Sequence, residues 1–186
     1  MMIPIGFFGG AGASSAMDFI STVYGTGSSG TITFDVSSLA STYKHLQLRM
    51  VYNYGTSGGF STIMRFNGDT GANYSDHALI GNGSAASAAN DVSSTSINPT
   101  SFAVGASGVT TIPYVSIVDI LDFANTSKYK TIRAFEGTFN TSTAREVGLV
   151  SGSWRSTSAI TAINLSINTS FNFSNVSRFS LYGIKG

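Results

Sequence analysis

The chain contains no cysteine. Disulfide staples and thiolate metal centres are therefore excluded, and the composition suits assembly in a reducing cytoplasm. Charge is also scarce. Ten Lys and Arg stand against nine Asp and Glu, a formal net charge of +1. Charged residues make up 10% of the 186 positions, where soluble domains carry roughly 25%. A net charge this small argues against a general electrostatic hold on nucleic acid. So few charges also solvate a free monomer poorly, which predicts a surface partly covered by partners. No Lys or Arg precedes Lys44, so the apolar start lacks the basic flank of a secretory signal. That run is also too short and too broken by glycine to span a bilayer.

What is present is β-forming. Hydrophobic residues reach 42% and mean hydropathy is +0.17. The polar remainder is mainly Ser, Thr, Asn and Gly, which suit turns and strands better than helix interiors. The length fits one compact domain with a sizeable core. We assign residues 1–17 to an apolar arm and residues 18–186 to a single domain. The arm carries Ile3, Ile5, Phe7 and Phe8 with no charge before Asp18. Exposed, those side chains would be a liability, so they are expected to dock on a neighbouring subunit.

Periodicity of two recurs along the domain. Ile32, Phe34 and Val36 share one face. Leu46, Leu48, Met50 and Tyr52 share another, as do Ile163, Leu165 and Ile167. Further strands are expected over residues 19–24, 62–66, 146–155 and 178–184. Residues 81–108 are mostly Ser, Ala, Asn and Thr and read as an exposed loop, with one short strand near 101–104. Gly148 and Gly152 lie within 146–155, which predicts a bulge or close approach near Trp154. The pattern as a whole predicts an all-β fold, a two-sheet antiparallel β-sandwich of jelly-roll type.

The strongest local signal is a hairpin, residues 112–123 pairing with 129–139 across a five-residue loop. The register that this loop sets places Asp122 opposite Lys130, Ile120 opposite Ile132, and Asp119 opposite Arg133. Opposite charges across a ladder support it modestly. The first strand is apolar on both sides, with Val115, Ile117 and Leu121 on one and Tyr114, Val118 and Ile120 on the other. That predicts a strand buried on both faces.

No residues assemble into a site for chemistry. Asp69, Asn73, Asp76 and His77 form an oxygen-rich stretch, but it lacks the ligand spacing of a calcium loop and reads as turn chemistry. His45 and His77 make no metal pair, and no metal or other cofactor is expected. Asp119 and Asp122 are expected to face opposite sides of a strand, so they cannot flank one sugar bond, and both have cross-strand basic partners. No nucleophile elbow or phosphate-binding glycine motif occurs. Trp154 is expected in the core beneath Gly152. The sequence therefore predicts a protein without catalytic residues.

Four segments carry a resemblance in a shared order. They are Thr42-Tyr43-Lys44-His45-Leu46-Gln47-Leu48-Arg49, Phe66-Asn67-Gly68-Asp69-Thr70-Gly71-Ala72-Asn73-Tyr74-Ser75, Ser151-Gly152-Ser153-Trp154-Arg155, and Arg178-Phe179-Ser180-Leu181-Tyr182-Gly183-Ile184-Lys185. Together they resemble a family of virion structural proteins of tailed bacteriophages, cyanophages included, over roughly residues 18–186. The resemblance implies a non-enzymatic virion component, assembled in the host cytoplasm. It implies a capsid decoration, or cement, protein or else a tail-fibre or head-fibre domain that binds host surface glycan. For the cement role, the expected partners are the major capsid protein and further copies of the chain in a trimer. Neither nucleic acid nor membrane is an expected partner.

Overall fold

The computed structural model describes residues 15–54, 58–100, 104–106, 113–139, 145–168 and 170–186. Ile3, Ile5, Phe7 and Phe8 lie outside the described residues. The described chain is all strand and turn. In order it forms β1 (Met17–Tyr24), β2 (Thr31–Asp35), β3 (His45–Tyr52), β4 (Gly58–Phe60), β5 (Thr62–Phe66), β6 (Tyr74–Gly81) and β7 (Ala86–Ser94). There follow β8 (Val104–Ala106), β9 (Tyr114–Leu121), β10 (Lys130–Phe139), β11 (Arg145–Trp154), β12 (Ala162–Ile167) and β13 (Arg178–Ile184).

An eight-stranded antiparallel sheet has the order β1-β13-β3-β9-β10-β11-β6-β7, and a three-stranded sheet has the order β2-β12-β5. A small ladder joins β4 to β8. The pairings nest. β1 lies beside β13, β2 beside β12, β3 beside β9, and Met64 of β5 bridges Ile97. Two hairpins, β6–β7 and β10–β11, widen the large sheet beyond these nested pairs.

Alternation explains which side chains make the core. Leu46, Leu48, Met50 and Tyr52 of β3, with Val118 and Ile120 of β9, are buried on the inner face of the large sheet. Ile32 and Phe34 of β2, with Ile163 and Leu165 of β12, are buried on the small sheet, and all belong to one apolar cluster. An aromatic group of Tyr52, Tyr54, Phe173 and Phe179 closes one end, with Phe173 and Phe179 at 4.8 Å edge to face. Two inner faces sharing one core make a β-sandwich.

The hairpin forms in the expected register, with Ile132 opposite Ile120 and Arg133 opposite Asp119. Three details differ from expectation. The connection runs over residues 122–129 rather than five positions, because Asp122 already leaves the strand at φ 48°. Asp122 and Lys130 do not pair. Lys130 shares the parity of Ile132 and is fully buried, where its ammonium donates to the carbonyls of Lys128 at 3.1 Å and Thr157 at 3.3 Å. The left-handed turn instead carries Asp122 outward to Lys128 and Lys44. Finally, β9 is buried on one face only, since Val115 and Ile117 are 44% and 38% exposed.

Residues 81–108 also depart from expectation. Residues 86–94 of the predicted loop are the hairpin strand β7, paired to β6 from Tyr74↔Ser94 to Gly81↔Ala86. Its Ala, Ser and Asn residues have little intrinsic strand preference. The template provided by β6 supplies it. Around Gly152 the ladders run without a shift. The glycine there serves close approach: a Cβ would lie 2.7 Å from Ile97.

Candidate functional site: the outer face of the large sheet

The oxygen-rich stretch folds as a tight turn between β5 and β6, with Asn67 and Gly68 at positive φ. The Trp154 indole N–H donates to Asp69 Oδ2 at 2.7 Å, and the Asn73 amide donates to the same oxygen at 2.9 Å. The Gly71 N–H donates to Oδ1 at 2.8 Å. These three donors, Trp154 foremost, hold the Asp69 carboxyl below its usual range. The Tyr74 hydroxyl donates to the Asp69 carbonyl at 3.2 Å and accepts from the Phe66 N–H at 3.1 Å. Asp69 thus fastens the turn and the buried Trp154 together. Asp76 points inward, takes a hydrogen bond from the Asn98 N–H at 2.8 Å, and has its pKa pushed up by burial. His77, the next residue along, is exposed. Among the described residues no three His, Asp or Glu side chains group as metal ligands.

Two further carboxylates are engaged by structural partners. Asp119 pairs with Arg133 at 3.2 Å and accepts from the Gln47 amide at 2.9 Å. Gln47 in turn accepts from Arg49 Nε at 2.9 Å. Asp122 is held below its usual range by Lys128 first, with Lys44 and His45 adding to it. Glu136 is buried on the inner face of β10.

The outer face of the large sheet is unlike an ordinary solvated face. Cross-strand register sets Ile117 opposite Phe135, Phe135 opposite Leu149, and Leu149 opposite Leu79. Phe135, Leu149 and Leu79 are each more than half exposed. Val115 and Val147 flank the same row, opposite Gly137 of β10. An unbroken apolar stripe therefore crosses four neighbouring strands, β9, β10, β11 and β6. Single exposed apolar residues need no explanation, but a contiguous row of this kind is the mark of an interaction surface. The sequence carries a trace of it. The two-sided apolarity of β9, read as double burial, comes instead from a strand with one face in the core and one in the stripe.

Comparison with protein-family models, curated proteins and solved structures finds no match to this chain. The fold and this face define an all-β sandwich domain with an exposed apolar stripe across its large sheet.

Proposed function

We propose that this chain is a non-enzymatic virion structural protein, a capsid decoration protein that bridges neighbouring capsid subunits. The observation that carries the proposal is the outer apolar stripe of Ile117, Phe135, Leu149 and Leu79. A shell offers many symmetric copies of one facing surface, so a modest apolar contact is repeated around the particle. Four further features support the reading. Charge is scarce, the arm bearing Ile3, Ile5, Phe7 and Phe8 is apolar, the Asp69 and Asp119 carboxylates are held by structural partners, and four sequence segments resemble phage virion proteins. The nested pairs β1–β13, β2–β12, β3–β9 and β5–Ile97 support a jelly-roll topology, a fold that recurs in capsid domains. In this reading the protein is a trimer on the capsid exterior, located in the virion.

The test is co-sedimentation of the purified protein with capsids that lack it. Wild-type protein pellets with them at saturable stoichiometry. A Phe135→Asp/Leu149→Asp variant, with unfolding temperature unchanged, stays in the supernatant. Equal pelleting of that variant rules out the stripe as the docking surface.

A further inference from the structure

Beside the stripe, on the β1 side of the same face, lies a groove of ≈ 370 Å³. We propose that this groove is a binding site for an acidic saccharide, a pyranose bearing a carboxylate. The inference does not rest on the docking role, and the groove adjoins the stripe through Val115 and Ile117, which line both.

The walls are aromatic and cationic. Phe19 and Tyr24 stand at 60% and 61% exposure on β1, whose register shifts between Phe19 and Ser21. Such a bulge re-aims side chains at the edge of a sheet. Phe19 packs edge to face on Tyr182 at 5.7 Å, and the Arg49 guanidinium sits 4.6 Å from the Tyr182 ring centre. Arg49 is held in place from behind by Gln47, which Asp119 fixes in turn. A second guanidinium, Arg178, lines the groove and has no side-chain partner among the described residues. The floor carries paired hydroxyls, Thr22 and Ser180, at 2.8 Å. No carboxylate lines the groove.

Each part answers to one part of such a ligand. Guanidinium forks recognise carboxylates with two parallel hydrogen bonds. Exposed aromatic rings offer flat apolar surface to the C–H face of a sugar, and hydroxyls exchange hydrogen bonds with its hydroxyls. An acidic peptide fits less well. Extended peptides bind by adding to a sheet edge; the floor strands β13 and β3 are paired on both sides, and the edge strand on this side is β1, a wall of the groove and not its floor.

The experiment titrates the full chain with three probes, followed by ligand-observed NMR: trigalacturonate, its methyl ester, and hexaglutamate. Saturable binding is expected for trigalacturonate, with the ester and the peptide at least about tenfold weaker, the size of a lost charge-assisted contact. Arg178→Gln, which touches no hydrogen bond of the fold, weakens trigalacturonate binding by about tenfold. Phe19→Ala weakens ester and acid alike. The proposal is overturned if trigalacturonate does not bind saturably, if Arg178→Gln binds it as well as wild type, or if hexaglutamate binds as tightly. The last result would assign the groove to acidic peptide. Because no capsid is present, a negative result leaves the docking role standing.

Discussion

Replacing Asp69 with alanine tests the reading of the oxygen-rich turn most sharply. Trp154 is only 3% exposed, and its indole N–H has Asp69 as its acceptor at 2.7 Å. Removing that acceptor strands a buried donor, which costs about 1–3 kcal/mol, with charged acceptors at the upper end. The Gly71 N–H and Asn73 amide lose the same carboxylate, but both residues are exposed and water replaces it. The expected destabilisation is therefore about 2–3 kcal/mol. In a domain of this size each kcal/mol lowers Tm by about 2–4 °C, so a fall of roughly 5–10 °C follows. Trp154 is the only tryptophan, so its emission reports the turn directly and should shift in the folded state. A double-mutant cycle isolates the contact: in a Trp154→Phe background, followed by circular dichroism, Asp69→Ala should cost less than half as much. A Tm within about 1 °C of wild type, with unchanged emission, refutes the reasoning. A calcium-dependent rise in Tm that vanishes in the variant would show instead that the turn holds metal.

Other predictions follow from the same geometry. Gly183→Ala places a Cβ 2.4 Å from the Tyr43 ring. Overpacking of that kind costs about 1–3 kcal/mol in urea unfolding, and Tyr43→Ala should restore part of it. Asp119→Ala removes a pair whose arginine is two-thirds exposed, so its cost should stay below about 1 kcal/mol. Asp69, depressed chiefly by Trp154, contributes stability that is present above the unfolded carboxylate pKa and lost as pH falls through the lower folded value. Acid unfolding of Asp69→Ala should therefore show a shallower pH dependence below about pH 4. Burial pushes the Tyr54 hydroxyl up to about 12. Its contribution is present below about pH 10 and lost as pH rises toward that folded value, so Tyr54→Phe should flatten alkaline unfolding.

The sandwich was legible wherever one face of a strand is buried and the other wet. Ile32-x-Phe34-x-Val36 and Leu46 to Tyr52 show that alternation, and all seven apolar side chains named by it are buried. Turn chemistry and charge placed Ile120 against Ile132 and Asp119 against Arg133. What stayed hidden depends on contacts between distant segments. Strand β7 carries a sequence with little strand preference and is held by its pairing to β6. Lys130 looked like a surface partner for Asp122, yet strand parity buries it while a single left-handed residue takes Asp122 away. The stripe was half visible in β9. Its continuation through Phe135, Leu149 and Leu79 needed the strand order, which local pattern does not supply.

The central claim is that this domain strengthens a capsid through its apolar outer face. The most direct measurement is the temperature at which packaged DNA escapes, compared between particles with the protein, particles without it, and particles carrying Phe135→Asp/Leu149→Asp. The account predicts that the second and third release DNA at the same lower temperature, while host adsorption is unchanged. Protein-free particles as heat-resistant as intact ones, with adsorption to the host collapsed, would contradict it and assign the domain to host binding.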